Sequence, residues 1–184
     1  MGHPPEPNLR IGTVVLAAGA ATRFGSPKQR LLLPHVLRRL EAAGLTAIVV
    51  VQGAYPVDAP GACVVTATDW ELGPGASLRE GLLALPVETE AAVVVLADGP
   101  ALAPEAVHRL LEAWRNGAAP VLAASYGGER SHPLVLARSA WGSIPNEGLR
   151  SVPVALVACD DLGSPGDVDT PADLGLLGLA GDED

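Results

Sequence analysis

The sequence predicts an α/β protein whose sheet is mainly parallel. Short apolar runs alternate along the chain with helical patterns of roughly ten residues, the order that βαβ units with right-handed crossovers produce. The apolar runs also lack polar–apolar alternation, which indicates strands buried on both faces of a parallel sheet. A chain of 184 residues corresponds to one domain and can bury a full core without disulfides or structural metal.

Seven apolar runs are predicted as strands. The first run is continuous and ends in a turn of small residues, and the fourth is the most hydrophobic and ends just before Asp98. Gly127 and Gly128 predict a hairpin between the fifth and sixth strands, because glycine adopts the positive φ angles of such turns. The predicted strands cover 11–17, 47–51, 62–67, 91–97, 120–125, 133–137 and 152–157.

Helical patterns fill the spaces between these strands. Gly44 and Pro86 predict the ends of the first two helices, because neither residue continues a helix well. Pro104 suits the first position of the third helix, and Thr170 is a suitable N-cap for a last one. The predicted helices cover 35–43, 77–85 and 104–114, with a fourth starting at Thr170.

The charge balance argues against nucleic acid and membrane as partners. The chain carries 12 Lys and Arg against 21 Asp and Glu, a net charge of −9, which repels DNA and anionic lipid. Aromatic residues make up only 3% of the chain, too few for a platform that stacks single-stranded bases. No apolar run is long enough for a transmembrane helix.

The cysteines and the terminal segments indicate a cytoplasmic protein. Cys63 and Cys159 lie outside any CxxC pair, so we expect two buried, reduced thiols, and the four histidines lack zinc-ligand spacing. The polar, proline-rich start has no secretory signal. We expect residues 1–10 to be a flexible leader, 11–179 a single domain and 180–184 an acidic tail.

A loop of small residues after the first strand is the first candidate for binding phosphate. From Leu16 to Lys28 the chain reads LAAGAATRFGSPK, whose successive backbone N–H groups can form an anion nest. Arg23 and Lys28 supply positive charge that the acidic chain otherwise lacks. The segment is neither a Walker A loop nor a dinucleotide fingerprint. A small-residue turn with two surface cations is the alternative interpretation.

Two acidic positions are candidates for holding a cation. Asp98 follows the fourth strand, at the edge where parallel sheets bind ligands, and one carboxylate with ligand phosphates commonly holds Mg²⁺. Asp167 and Asp169 alternate along an extended segment, so at most one of them faces a shared metal. Turn capping by Asp98, and helix capping by either of the others, remain open alternatives.

Two further segments contain polar residues that could meet a ligand. A glycine-rich loop opens the predicted helix at Ser77, where an N-terminus can bind an anion. The residue two places after Ser77 is Arg79 rather than glycine, so the GxSxG pattern of serine hydrolases fails. His132 follows the predicted hairpin, and a lone histidine at such a position is more often a hydrogen-bonded turn residue than a catalytic one.

Taken together, these segments resemble the MobA-like nucleotidyltransferases, and most of all their molybdenum cofactor cytidylyltransferase branch. The resemblance covers residues 11–178 and implies a Rossmann-like three-layer α/β/α sandwich with a nucleotidyltransferase, GT-A-like topology. The segments stand in the family's order: LAAG at 16–19 with RFG at 23–25 and Lys28, GPGASLR at 73–79, LADGP at 96–100, SHP at 131–133, and DVDTP at 167–171.

The resemblance implies transfer of a nucleotidyl group from an NTP with release of pyrophosphate. It implies that Arg23, Lys28 and Asp98 are catalytic, and that Asp98 and Asp169 bind Mg²⁺. Gly19 would hold the triphosphate together with the two cations, and residues 16–18 would lie beside the base. The implied substrate-binding residues are Leu16, Ala17, Ala18, Gly19, Gly25, Ser77, Arg79 and His132.

The implied partners are small molecules. An Ala-Ala-Gly sequence at 17–19 favours CTP, and the acceptor in this branch is a phosphorylated pterin, molybdopterin, destined for a molybdoenzyme or its maturation factor. Two alternatives stay open: the same reaction on another phosphorylated acceptor, such as a sugar phosphate or a deazaflavin precursor, and a non-catalytic nucleotide- or pterin-binding protein. The absence of GxGxxG argues against an oxidoreductase.

The segment after Lys28 is shorter than the family pattern. Pro34 lacks an N–H and disfavours helical geometry at Leu33, so we predict an extended chain up to Pro34 and a helix just after it. We also expect Lys28 to be exposed, in a loop that is mobile without ligand, because few residues remain to anchor it.

Overall fold

The computed structural model of the protein describes residues 10–19 and 28–166. Seven strands form one sheet in the order β3-β2-β1-β4-β6-β5-β7. The strands are β1 Ile11–Ala17, β2 Ile48–Gln52, β3 Cys63–Thr66, β4 Ala91–Leu96, β5 Val121–Tyr126, β6 Glu129–Ala137 and β7 Ala155–Ala158. The helices are α1 Lys28–Ala42, α2 Pro74–Leu83 and α3 Pro104–Arg115, with short 3₁₀ helices at Trp70–Leu72, Arg138–Ser143 and Asp160–Leu162. None of the helices in the described ranges is both long and apolar enough to cross a bilayer.

The predicted α/β class with a mainly parallel sheet is confirmed. β1 pairs in parallel with β2 and with β4, and only β6 runs antiparallel to its neighbours among the described strands. The reversal follows from the hairpin after β5, where Gly127 and Gly128 have φ angles of 61° and 79°. Two consecutive residues with positive φ turn the chain back directly, so β6 returns beside the strand that precedes it.

Helices cover both faces of the sheet and produce three layers. On one face Val15 of β1 packs in a cluster with Val36 of α1 and Leu110 of α3. On the other face Val14 packs in a second cluster with Leu78 of α2. Neighbouring residues of one strand point to opposite faces, so β1 contributes to both clusters and is buried on each side. The Rossmann-like α/β/α sandwich expected from the sequence is therefore the observed architecture.

Helix α1 corrects the prediction for the segment after Lys28. The helix begins at Lys28, and Pro34 lies inside it on the exposed face, so the prediction of an extended chain up to Pro34 is wrong. Proline inside a helix removes one hydrogen bond and costs about 3 kcal/mol. Burying one leucine contributes roughly 1.5–3 kcal/mol, and α1 buries several apolar side chains, which together outweigh that cost. The most buried of them are Leu32, Leu33, Val36 and Leu40.

Other element boundaries shift for local reasons. Helix α2 begins at Pro74, three residues before the predicted start at Ser77, because Gly73 takes a φ of 127° and proline suits the first helical position. Strand β6 begins at Glu129 instead of residue 133, because pairing with β5 continues up to the hairpin. The predicted last helix at Thr170 lies outside the described residues. Of the two thiols expected to be buried, Cys159 is buried, but Cys63 is exposed, because it lies on the outermost strand β3.

The topology gathers the candidate residues at one edge of the sheet. β1, β2 and β4 are adjacent and parallel, so their carboxyl ends meet at the same edge. Helices α1 and α2 both begin at that edge, following the ends of β1 and β3. A ligand bound there meets strand ends and helix N-termini together, which is the usual ligand position in open α/β sheets.

Candidate active site

A cavity of about 340 Å³ opens at this edge. It lies between the carboxyl ends of β1 and β4 and the first turns of α1 and α2. Its walls are mostly apolar, and a few polar groups reach into it, which is typical of a small-molecule site. The cavity is lined by Leu16, Ala18, Gly19, Gln29, Trp70, Gly73, Pro74, Ser77, Leu96 and Asp98.

Lys28 and Asp98 form an ion pair at the cavity. Lys28 Nζ lies 3.0 Å from Asp98 Oδ2, and the two side chains are 8% and 27% exposed. The expectation that Lys28 is exposed in a loop is therefore wrong. The physical reason is the early start of α1, which places Lys28 in its first turn, directly beside the end of β4. The pair joins two residues that are 70 positions apart in the sequence.

The second carboxylate oxygen of Asp98 has no partner in the part of the chain that the structure describes. Asp98 Oδ1 is buried and accepts no hydrogen bond from residues 10–19 or 28–166. A buried acceptor without a donor is costly, and a carboxylate oxygen is a ligand that Mg²⁺ prefers. Within residues 10–19 and 28–166, no group of three or more His, Cys, Asp or Glu side chains could hold a metal by itself. A cation at Asp98 therefore needs oxygen ligands from a substrate or from elsewhere in the chain.

The end of β1 is held rigidly against its neighbours. Ala97 N donates to the carbonyl of Leu16 at 3.0 Å, and Ala54 N donates to the carbonyl of Ala18 at 3.4 Å. A side chain at Gly53 would come within 2.8 Å of the same Ala18 carbonyl, so glycine is required for this close approach. Ala17 is buried in the core below. The predicted base-side segment 16–18 thus forms a fixed wall, with Leu16 and Ala18 facing the cavity.

The start of α2 packs against the chain segment 144–148. Gly75 N donates to the carbonyl of Asn146 at 2.9 Å, so this N–H is not available to an anion. A Cβ on Gly75 would lie 1.7 Å from the carbonyl oxygen of Pro145, which leaves room only for glycine. Ser77 is nevertheless part of the cavity wall, as a buried residue of the helix.

Arg79 binds the same segment rather than pointing into the cavity. Its guanidinium donates to the carbonyl of Ile144 at 2.7 Å and to Asn146 Oδ1 at 2.6 Å. Arg79 is not among the residues that line the cavity. Its two bonds hold the segment 144–146 against α2, so in this structure its contacts are those of a positioning residue.

His132 lies on β6, on the far side of β4 from β1. It falls within an irregularity of the β5–β6 pairing, between the pairs Ala123–Leu134 and Ala124–Ser131. Burial lowers the pKa of His132 to about 4, against a smaller opposing effect of Asp98. His132 is therefore neutral near pH 7, and it can donate or accept a hydrogen bond but brings no positive charge.

Three predicted site residues cannot be placed. Arg23, Gly25 and Asp169 lie outside the described residues. The described residues that the structure brings together at the cavity are Leu16, Ala18, Gly19, Lys28, Ser77 and Asp98, of which Lys28 is present through its contact with Asp98.

Gln29 is a cavity residue that the sequence analysis missed. Its Nε2 donates to the carbonyl of Gly19 at 2.8 Å, and the residue lines the cavity next to Asp98. Pro34 predicts an extended segment up to that residue, and an extended segment gives no reason to single out Gln29. A helix starting at Lys28 would have shown that Gln29 belongs to the first turn.

The sheet order and the cavity at its carboxyl edge define the α/β nucleotidyltransferase fold. The MobA-like NTP transferase domain family matches residues 13–159, and the chain belongs to that family. The resemblance that the sequence motifs indicated is thereby confirmed. A comparison of the sequence with curated proteins found no significant match.

Solved structures show the same fold over almost the whole chain. The crystal structure of Rv0371c from Mycobacterium tuberculosis H37Rv is 27% identical, with a TM-score of 0.74, and the match covers 94% of this chain and 99% of that one. Rv0371c in complex with manganese is also 27% identical, with a TM-score of 0.69 and coverage of 92% and 97%. Molybdopterin-guanine dinucleotide biosynthesis protein A from Archaeoglobus fulgidus is 18% identical, with a TM-score of 0.63 and coverage of 90% and 95%.

Proposed function

We propose that this protein transfers a nucleoside monophosphate, CMP by preference, from an NTP to the phosphate of molybdopterin, and that it does so with Mg²⁺ in the cytoplasm. The observation that carries the proposal is the arrangement of Lys28 and Asp98. A buried lysine meets a carboxylate at a cavity on the carboxyl edge of the sheet, and one oxygen of that carboxylate has no partner among the described residues. Such a pair can receive a phosphate and a cation at one point.

The chemistry needs few groups from the protein. The acceptor phosphate is ionised near neutral pH, so little general-base help is required. The residues have to hold the two phosphates in line and neutralise charge on the α-phosphate and on the leaving pyrophosphate. We assign Lys28 and Arg23 to the triphosphate, with the backbone of Gly19 and Gly25. Mg²⁺, when bound, supplies the charge that polarises the phosphoryl oxygens.

Asp98 and Asp169 are the proposed protein ligands of the metal. Gly166, the last described residue, is three positions before Asp169 in the sequence. Just before it, the carbonyl of Pro165 accepts a hydrogen bond from Ala101 N at 2.8 Å, beside the loop that follows Asp98. Pro165 therefore lies beside the loop that follows Asp98. The manganese complex of the similar Rv0371c supports a divalent cation in this fold.

The acceptor is assigned on chemistry and on similarity. A structurally similar protein is named for molybdopterin-guanine dinucleotide biosynthesis, which supports a pterin acceptor. The Ala-Ala-Gly sequence at 17–19 supports CTP over GTP. His132 stays neutral near pH 7, so we assign it a hydrogen bond to a polar group of the acceptor and no charge neutralisation.

A thermal-shift screen tests the proposal. Each of the four NTPs is added with Mg²⁺, with Mn²⁺ and with EDTA, and stabilisation is expected only with metal, strongest for CTP. Asp98→Asn should remove the metal dependence of NTP stabilisation, measured against its own ligand-free Tm. Asp161→Asn is the matched control, because Asp161 is an exposed carboxylate paired with Arg109, next to the outermost strand β7, which β6 and β5 separate from β4.

Two outcomes separate the reaction from its alternatives. Release of pyrophosphate on adding CTP and molybdopterin supports the complete proposal, whereas release only with another phosphorylated acceptor would change the acceptor and keep the chemistry. Metal-dependent stabilisation in Asp98→Asn equal to that of the unaltered protein would show that Asp98 is not a metal ligand.

A further inference from the structure

The amide of Gln29 presents an unusual feature at the cavity. The residue is 6% exposed, and it lies in the first turn of α1, where it lines the cavity with Gly19 and Asp98. Its nitrogen Nε2 donates to the carbonyl of Gly19 at 2.8 Å. Its oxygen Oε1 is buried and has no hydrogen-bond partner among residues 10–19 and 28–166. One end of the amide is thus bonded to the protein, and the other is a free acceptor.

The bond to Gly19 determines which way the amide faces. Only the NH₂ group can donate to a carbonyl, so Nε2 must face Gly19 and Oε1 must face away from it. A buried acceptor without a donor is rare in folded proteins, because the lost hydrogen bond to water is not replaced. The position beside a cavity provides the explanation: a bound ligand can supply the missing donor.

The ligand group that meets Oε1 must carry a hydrogen. The oxygens of a fully ionised triphosphate have none, so a phosphate cannot be the partner at pH 8. Hydroxyl groups of ribose and amino groups of bases do have hydrogens to donate. Gly19, to which Gln29 is bonded, directly follows the segment 16–18 that forms a fixed wall of the cavity. The nucleoside is therefore the part of a nucleotide whose chemistry fits this acceptor.

We infer that Gln29 selects the nucleotide by accepting, at Oε1, a hydrogen bond from the nucleoside, either from a ribose hydroxyl or from an amino group of the base. The inference rests on the proposed function, because it takes the cavity to bind an NTP. It adds to that function a specificity-determining residue. A site built to accept a hydrogen bond rejects an analogue that lacks the donor, since the acceptor is then left buried and unpaired.

A substitution of Gln29 combined with altered ligands tests the inference. Binding of CTP, 2′-deoxy-CTP, 3′-deoxy-CTP and UTP is measured with Mg²⁺ at pH 8, for the unaltered protein and for Gln29→Met. In the unaltered protein, one of the three analogues is expected to bind about tenfold more weakly than CTP. In Gln29→Met that preference should fall to about twofold or less. If a deoxy analogue is the one that binds more weakly than CTP, the donor is a ribose hydroxyl. If UTP is the one that binds more weakly, the donor is the amino group of the base.

Gln52→Met is the matched control. Both ends of the Gln52 amide are bonded within the protein, Nε2 to Thr66 Oγ1 and Oε1 to Val57 N, each at 2.9 Å. This substitution should change stability and leave the preference among ligands unaltered. If Gln29→Met does not fold, Gln29→Asn replaces it in the same binding measurements. Its side chain is one methylene group shorter, so the amide oxygen lies farther from the ligand.

Inorganic tripolyphosphate separates a nucleoside contact from two other roles. It carries the phosphates and any metal-bound water but no nucleoside. If Gln29→Met weakens tripolyphosphate and CTP by the same factor, Gln29 acts only through Gly19 or through metal-bound water, and the inference is wrong. Equal preference among the analogues in both proteins would also overturn it. If the unaltered protein binds neither CTP nor tripolyphosphate, the proposed function itself fails, and that result is distinct from the other two.

Discussion

Lys28 Nζ lies 3.0 Å from Asp98 Oδ2, and this contact joins the first turn of α1 to the end of β4. Lys28 is the only lysine in the chain, so no neighbouring lysine can replace it. Each side chain balances the charge of the other in a largely buried place. A cation and a triphosphate that enter the cavity offer the two groups alternative partners, so the ion pair belongs to the ligand-free protein and need not persist during turnover.

Substitution of Lys28 should affect both turnover and stability. Lys28→Met should lower turnover about 10²–10³-fold, the usual loss for one preorganised charged group. It should also lower the free energy of unfolding by about 1–3 kcal/mol, because Asp98 then lacks its partner. Steady-state kinetics and urea denaturation measure the two effects. The matched control is Arg30→Ala, an exposed cation two residues along the same helix that donates to the carbonyl of Pro56. A fall in turnover of less than about threefold for Lys28→Met would show that Lys28 is not part of the chemistry.

Hydrogen exchange should show that α1 is formed before nucleotide binds. The helix is continuous through Pro34 and buries Leu32, Leu33 and Leu40. Amides at 35–42 should therefore exchange slowly without ligand, since opening them exposes this apolar face. Exchange measured by mass spectrometry, with and without CTP and Mg²⁺, tests this. Fast exchange at 35–42 that slows only on adding nucleotide would mean that the ligand orders the helix.

The close contact at Gly75 should tolerate no side chain. Gly75→Ala would place Cβ 1.7 Å from the carbonyl oxygen of Pro145, so either α2 or the segment 144–148 has to move. We expect a loss of about 2–4 kcal/mol in the free energy of unfolding, because both atoms in the clash are held by the backbone. Gly142→Ala is the control, since a Cβ there meets nothing within 4 Å. Equal effects of the two substitutions in chemical denaturation would show that the Gly75 contact is not rigid.

Acid should destabilise the protein through His132. Burial lowers the pKa of His132 to about 4, below the ordinary value of 6.5. The unfolded chain then binds more protons than the folded one between these values, so stability falls as the pH drops from about 6.5 to about 4. The loss for this one group approaches about 3 kcal/mol. His132→Asn should flatten the dependence of the free energy of unfolding on pH in this window, measured in EDTA. An unchanged slope would mean that His132 is not held neutral by the fold.

Much of the fold follows from local sequence patterns. The apolar runs at 11–17 and 91–97 correspond to β1 and β4, because a strand buried on both faces needs apolar residues throughout. Gly127 and Gly128 predicted the hairpin, because the positive φ angles are a property of the residues themselves. The candidate site was also predicted from short segments, since Lys28 and Asp98 each stand at a position that matches a motif of the family.

What the sequence determined by itself was therefore the order of elements, the class of fold and the candidate residues. The tertiary structure alone decided their contacts. Helix α1 continues through Pro34, because the packing of its apolar face outweighs the local preference of proline. Lys28 is buried against Asp98, and Arg79 is hydrogen-bonded to Asn146. Gln29 lines the cavity, and its Oε1 has no partner among the described residues. These contacts join residues far apart in the chain, or depend on where a helix begins. Spacing in the sequence carries no information about such distances, which are decided by how the layers pack.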